Sequence, residues 1–484
     1  MGYRDLQEFI AALEQAGELH RIKVQVSSEL EITEITDRIS KQRGPALLFE
    51  NVQGSEFPVL MNAFGSPARM ALALQADDLD QVGADIEGLI RKLEELPGGS
   101  WMERIKSLSQ FMPLARLAPR VVSRGACQEI VHMEPDLSIL PILKCWPEDG
   151  GRFITLPQVY THNPVNGRRN VGMYRLQVYD KQTTGMHWHI HHDGAANYQQ
   201  AQSQGDKRME VAVVLGGDPA ITYAATAPLP KDIDELLLAG FLRKQPVELV
   251  KCRTIDVQVP AAADFVLEGY VNIDEKRTEG PFGDHTGYYS LPGEFPVFHL
   301  TAVTHKRQAV YPATIVGRPP QEDCYIALAT ERIFLPLLKL QLPEIVDMHM
   351  PVEGVFHNCV FVSIRKSFPY HARKVMNALW GMGQMMFAKF IFVLDADVNV
   401  QDTSEVMWRV FNNVDPQRDT MIVEGPLEVL DHSAPHALFG SKMGIDATRK
   451  LVSEGHPREW PHDIAMTPEI KTQVERRWAE YGFK

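Results

Sequence analysis

Between residues 126 and 317 the chain sets nine β-like runs almost end to end: CQEIVHM, LPQVYTHN, RRNVGMYRLQVYD, GMHWHIHH, MEVAVVLGG, RTIDVQVP, DFVLEGYVN, PVFHLTAVTH and AVYPATIVG. Turn-forming residues separate them. A single helical stretch, near Lys231 to Leu242, interrupts the series. That many strands in one block must cover their apolar faces by closing or by stacking, which predicts a barrel or a sandwich.

The flanks read differently. Leu6, Phe9, Ile10 and Leu13 fall at helical spacing behind a possible cap at Asp5. A second helix is expected over 31–41, strands in PALLFENV and FPVLMNAFG, and a helix over 77–93. No phosphate-binding glycine fingerprint occurs there, so a dinucleotide fold is not indicated. Residues 94–125 form a Pro-, Arg- and Gly-containing bridge with a helix expected near Trp101 to Phe111. From about 323 helices and strands alternate again: helices over 326–341, 370–386 and 403–411, and strands in GVFHNCVFVSIR and KFIFVLDADV. A last helix is expected near 468–481. The expected units are 1–115, 116–320, 321–455 and a helical tail over 456–484.

A chain of 484 residues with a formal net charge of -13 presents no basic nucleic-acid surface. Cys127, Cys145, Cys252, Cys324 and Cys359 are scattered, odd in number and without CxxC spacing, which argues against a disulfide framework and fits a reducing cytoplasm. No apolar run is long enough to span a membrane.

Three stretches carry chemistry. EGPFGDHTGYY, residues 279–289, sets Glu279 and Asp284 on either side of Gly280, Pro281 and Gly283. Those residues suit a tight loop that aims two carboxyl groups into one cleft, where like charge and burial are expected to raise a pKa toward that of a proton donor. NVGMYRLQ, residues 170–177, carries Arg175 in an apolar strand; a buried guanidinium needs an anion, and an ion pair on an outer face would serve equally. A regular strand would send Asn170 and Arg175 to opposite faces, so a bulge is expected at Gly172. MHWHIHHDG, residues 186–194, offers His187, His189 and His191 on one strand face and His192 on the other, a possible metal site. By its position alone Glu235 is a first-turn acid of a helix, and Lys389 beside the DAD motif reads as structural.

Taken together, these motifs resemble the UbiD-type decarboxylases over almost the whole chain. NVGMYR, VLEGY (266–270) and EGPFGDHTGYY carry the resemblance, with VGRPPQED (316–323), LPEIVDMHMPVEG (342–354) and SKMGIDAT (441–448). The resemblance implies an α+β multidomain protein. A central split β-barrel like that of flavin reductases would lie between N- and C-terminal α/β domains, with a C-terminal helix. It implies prenylated FMN supplied by a partner flavin prenyltransferase, its phosphate held through manganese(II) or magnesium with potassium alongside. Asn170, Glu235 and, by the ferulic acid decarboxylase branch, His192 match metal ligands. Met173, Tyr174, Arg175, His187, Trp188, His189, His192 and Asp193 match flavin-contacting segments.

The roles implied are Arg175 holding the substrate carboxylate, Glu279 pairing with Arg175, and Asp284 delivering the proton, while the cofactor accepts the electrons left by carbon dioxide. The substrate implied is a small aromatic or α,β-unsaturated acid, a class that includes the 4-hydroxybenzoate type used in quinone synthesis. Carboxylation is open as the physiological direction, and a homo-oligomer (dimer or hexamer) is expected. Two departures keep the substrate open. The polyprenyl-benzoate branch has arginines at His187 and His192, and the ferulic branch has Glu at Asp284. A metal hydrolase built on the histidines, or a flavin carrier without turnover, are the competing readings.

Overall fold

The structure, a computed structural model, describes residues 2–94, 116–188, 193–229 and 233–483. The helix expected near Trp101 to Phe111 and the histidines 189, 191 and 192 lie outside those residues.

The N-terminal unit opens with α1 (Leu6–Gln15), which buries Leu6, Phe9, Ile10 and Leu13 along one stripe. Asp5 caps it, its carboxylate accepting from the Glu8 amide at 3.0 Å. Then come β1 (Leu19–Ile22), α2 (Glu31–Lys41), β2 (Ala46–Phe49), β3 (Val59–Met61), α3 (Pro67–Ala73) and α4 (Leu79–Glu94). The sheet runs β1–β2–β3 and is completed from far along the chain by Tyr311–Pro312, parallel to β3.

The central strands are β4 (Ile130–His132), β5 (Phe153–Ile154), β6 (Gln158–His162), β7 (Arg169–Gly172), β8 (Leu176–Gln177), β9 (Thr183–Gly185), β10 (Arg208–Leu215), β11 (Phe265–Glu279), β12 (Phe282–Gly283), β13 (Tyr289–Ser290) and β14 (Gly293–His305). The main sheet has the order β9–β14–β11–β10–β6–β7, with β4 also on β14, and its pairings are antiparallel. Next to β9, Val178 bridges Thr184, so β8 and its partner β5 extend that edge. β7 and β8 therefore stand at opposite ends of the strand path. Laid flat, seven strands would span about 29 Å. Yet only residues 173–175 separate β7 from β8, a link of at most about 14 Å. The sheet must curl until its two ends nearly meet, and Met173–Arg175 is the seam. No ladder pairs β7 with β8 among the described residues.

The seam corrects one expectation. The strand does not bulge at Gly172; it stops there. A Cβ on Gly172 would lie 2.2 Å from the Tyr174 hydroxyl, so that ring is packed back over the glycine. GMHWHIHH is likewise not a continuous strand, since β9 ends at Gly185, and of Met186–Trp188 only the Met186 amide still reaches β14, donating to the Pro296 carbonyl at 2.9 Å. The helix expected from Lys231 is α6 (Glu235–Leu242), preceded by α5 (Asp193–Gln204). Asp234 fixes its start by accepting from the Leu236 amide at 2.8 Å.

The C-terminal unit comprises α7 (Glu322–Gln341), β15 (Ile345–His349), β16 (Cys359–Ile364), α8 (His371–Trp380), β17 (Phe390–Asp395), α9 (Thr403–Asn413), β18 (Thr420–Pro426) and β19 (Phe439–Asp446). Its sheet runs β15–β16–β17–β19–β18, parallel in the middle three strands and antiparallel at both edges. Helix α7 serves two cores. Ala329 and Ile333 pack with the N-terminal unit, Leu335 and Leu338 with the C-terminal one. SKMGIDAT is β19 and its exit, where Asp446 accepts from the Thr448 amide at 3.0 Å. The tail helix α10 (Pro468–Arg476) buries no side chain. Among the described residues no helix is long and apolar enough to cross a membrane.

Candidate active site

Arg175 leaves the seam and meets the acidic hairpin. Its Nε donates to Glu279 Oε1 at 3.0 Å, Nη1 donates to Asp284 Oδ2, and Nη2 donates to the Ser290 hydroxyl at 3.1 Å. The guanidinium carbon also lies 4.5 Å from the centroid of the Phe282 ring. Glu279, the last residue of β11, is fully buried, and His187 Nδ1 stands 2.7 Å from the oxygen that Arg175 uses. Burial holds the His187 pKa below its ordinary value against the pull of Glu279. The ring is therefore neutral, with Nδ1 against the carboxylate.

Asp284 departs from the sequence expectation of a raised pKa. Burial pushes its carboxyl up, but the hydrogen bond from His285 and the Arg175 charge pull harder and hold it well below the usual carboxylate range. Its Oδ1 accepts from the His285 amide at 2.8 Å and lies 2.9 Å from His285 Nδ1. Burial works against charge on His285, yet Asp284 beside it leaves the imidazole pKa above normal. The centre is thus a chain of alternating groups: neutral His187, Glu279, Arg175, Asp284, and His285, whose imidazole is biased toward its charged form.

The segment Cys145–Gly151 clamps this hairpin from behind. Asp149 is buried and accepts from the amides of Cys145 (3.2 Å), Trp146 (2.8 Å) and Gly283 (2.8 Å). Gly283 must be glycine because a Cβ would stand 2.2 Å from Trp146 Cδ1. Gln177 on β8 accepts from the Gly280 amide at 2.7 Å and donates to the Gly150 carbonyl at 2.8 Å. The seam and the hairpin are therefore fixed to each other by the same elements that carry Arg175 and Asp284.

A second polar cluster lies at the β7–α6 contact. Glu235, buried at the first turn of α6, accepts from the Asn170 amide group and from the Val171 N–H, each at 3.1 Å. Burial, with the Asp234 and Asp193 charges adding to it, raises its pKa to about 8. Asn170 Oδ1 is buried with no partner among the described residues, and Arg169 stands alongside, 3.1 Å from Asp234. A buried carboxylate, an orphaned amide oxygen and a nearby guanidinium are a donor set that fits a divalent cation carrying a phosphate. No more than about 18 Å of chain separates Asn170 from Arg175.

The other residues singled out in the sequence fall around these clusters. Met173 packs against the N-terminal core. Tyr174 is buried, its hydroxyl accepting from the Gly194 amide at 3.3 Å. Trp188 is buried against Tyr198 at 5.7 Å between ring centroids. Asp193 is exposed in the first turn of α5. Positions 189 and 192 lie outside the described residues, and no group of three metal-binding side chains assembles among those that are described. Lys389 pairs with Asp431 at 2.8 Å. The sequence reading missed Ser290, Phe282, Asp149 and Gln177. The first two lie within or directly after the acidic motif; the others gave no local signal.

Comparison with known proteins agrees across the chain's length. The family profiles of 3-octaprenyl-4-hydroxybenzoate carboxy-lyase match it in three parts: the N-terminal domain over 10–86, the Rift-related domain over 120–319 and the C-terminal domain over 324–447. An uncharacterised protein of Aquifex aeolicus is 50% identical over 486 residues, covering 100% of this chain and 99% of that protein. Among solved structures, the UbiD-class enzyme HmfF of Pelotomaculum thermopropionicum, in complex with FMN, is 30% identical with a TM-score of 0.81, covering 97% of this chain and 98% of that one. Vanillic acid decarboxylase of Sedimentibacter hydroxybenzoicus in its closed form is 27% identical with a TM-score of 0.85, covering 99% of each chain.

Proposed function

Because the chain belongs to the UbiD family and is a carboxy-lyase, we propose that it removes the carboxyl group of a small aromatic or α,β-unsaturated acid, reversibly, with prenylated FMN as cofactor. One observation carries the reading: a buried guanidinium held between two acids, Glu279 and Asp284, at the seam of a curled sheet. On this reading the curl is a split barrel, and the seam faces the flavin.

Arg175 then works by exchange. An incoming carboxylate competes with Asp284 for the planar guanidinium, while Glu279 and His187 keep Nε fixed. Once Arg175 turns to the substrate, Asp284 loses a cation that held its proton affinity down. It then takes up the proton that it goes on to deliver to the product carbon. The low pKa of the substrate-free site is therefore the resting half of a cycle, and the proton donor is made by substrate binding. The cofactor, when bound, supplies the electron sink for carbon dioxide loss. Asn170 and Glu235 would hold its phosphate through manganese or magnesium, with Arg169 adding positive charge. His192 and a potassium ion would join them. A flavin prenyltransferase is the supplier, and the substrate class extends to 4-hydroxybenzoate-type acids of quinone synthesis. A homo-oligomer is the proposed working form, a reading that the exposed apolar side chains of the tail support.

The test is purification after co-expression with a flavin prenyltransferase. Expected are the absorption of bound modified flavin and decarboxylation within a panel of benzoic, furoic and cinnamic acids. For Glu235→Gln, flavin retention should fall at least about tenfold, as follows when roughly 1.4 kcal/mol or more of metal-bridged affinity is lost. Added Mn²⁺ should raise the apoprotein Tm of the wild type and not of the variant. Turnover with metal alone and no flavin would favour the hydrolase instead.

A further inference from the structure

The acidic hairpin is covered by the C-terminal unit, and the contact is specific. His285 Nε2 lies 3.3 Å from His357 Nε2, while Phe356 stacks on the His285 ring at 5.1 Å and 24°. His357 and Phe356 sit on the turn between β15 and β16, whose backbone is unusual. Val355 and Phe356 have φ of +42° and +52°, two consecutive non-glycine residues in the left-handed region, one of them β-branched. Such strain persists only where surrounding structure over-determines it, and it concentrates at functional sites. Here the turn is pinned by the Asn358 amide donating to the Gly354 carbonyl at 2.9 Å and the Phe390 amide donating to the Asn358 carbonyl at 2.8 Å. The strained turn presents the Phe356 ring face and the His357 imidazole to His285.

Hydrogen-bond polarity follows from the partners. His285 Nδ1 faces a carboxylate, so it carries a proton. In the imidazolium form that Asp284 favours, its Nε2 also carries one and donates to His357 Nε2. His357 must then be neutral with its proton on Nδ1, a nitrogen that is buried and has no partner among the described residues. Burial and the neighbouring His285 charge depress the His357 pKa to about 3, in keeping with that assignment. The groups whose charges reach His285 are Asp284, Asp323 of α7 and Glu428 of the loop after β18; His357 feels His285 and Asp431.

We propose that His285 is the proton reservoir that recharges Asp284 in each turnover, and that His357 of the C-terminal unit is the positioning residue that keeps its Nδ1–H aimed at that carboxylate. Each turnover consumes one proton, as RCOO⁻ and H⁺ become RH and CO₂. The His285 Nδ1 proton moves to Asp284 Oδ1. The Asp284 proton moves to the carbon that lost the carboxyl group, and His285 takes its replacement from solvent. This rests on the decarboxylase reading above.

The test uses full-length holo-protein with ring-¹⁵N histidine, titrated from pH 5 to 9.5, with His285→Asn identifying the resonance. His357→Leu, which removes the acceptor, is expected to lower the His285 midpoint by about one pH unit, a tenfold loss of proton affinity. His357→Gln, whose amide oxygen can accept from Nε2–H, is expected to restore most of it. On an acid that the holo-protein decarboxylates, His357→Leu should lower kcat about tenfold at alkaline pH, with KM within about twofold. The alkaline limb should move with the His285 midpoint, and Gln should recover most of the loss. Flavin absorbance and far-UV dichroism check that both variants are folded and loaded. A His285 midpoint unmoved in His357→Leu overturns the dyad. A moved midpoint with an unmoved kcat profile overturns the recharging role. A holo-protein that decarboxylates nothing overturns that role together with the reading beneath it, while the resonance titration still decides the dyad.

Discussion

Asp284 sits between two cations, Arg175 and His285, and this fixes how the site responds to pH. The Asp284 pKa is depressed in the fold, so its contribution to stability is complete above about pH 4 and is lost as pH falls through the folded value. The His285 pKa is raised, so its contribution is complete below about pH 6 and is lost as pH rises through the folded value. Both hold together between roughly pH 4 and 6. In that window Asp284→Asn should cost about 3 kcal/mol, the scale of breaking a buried pair, and less at higher pH as His285 loses its charge. Urea midpoints of the two proteins from pH 4.5 to 9 would show a difference that narrows upward; a constant difference would refute it. Arg175, Glu279 and Asp284 stood out in the sequence because charged residues inside apolar and glycine-rich runs demand partners. The direction of the Asp284 shift did not, because it depends on His285 folding back onto its neighbour and on a guanidinium 109 residues away. His357 was invisible for the same reason: its partner is 72 residues distant.

At the scale of elements, the hairpin β12–β13 is short and would not hold its shape alone. Asp149 ties it to the Cys145–Trp146 turn through three backbone amides, and burial without those bonds would be costly. Asp149→Ala is expected to destabilise the protein by about 3 kcal/mol and to weaken turnover by loosening Asp284, while flavin stays bound through the separate Asn170–Glu235 cluster. Thermal unfolding and flavin absorbance measured on one sample separate these effects. Most strands and long helices were legible because their apolar period shows. Helix α5 was not, since DGAANYQQAQSQ buries Ala195, Tyr198 and Ala201, small or amphipathic residues with little periodic signal. The break after Gly172 escaped too, because alternation continues across a seam that only the curl of the whole sheet requires.

Across the whole molecule, one curled sheet brings distant segments to the seam, and the C-terminal unit closes over it through Phe356, His357 and the His432 ring, 4.1 Å from Tyr288. The tail stands apart: α10 buries nothing in the protomer, and Ile464, Met466, Trp478 and Phe483 are exposed. Truncation after residue 466 should leave the protomer's Tm within about 2 °C, as expected for residues outside the core. It should also shift the mass in light scattering toward smaller species; an unchanged mass would place the subunit contacts elsewhere. The account turns on Asp284 as the proton donor of a flavin-dependent decarboxylase. The direct measurement is deuterium incorporation in D₂O at the carbon that loses its carboxyl group, comparing holo wild type with holo Asp284→Asn at equal flavin content. The account predicts a deuterated product from the wild type and a rate at least about 10²-fold lower from the variant. Equal rates from the two would contradict it.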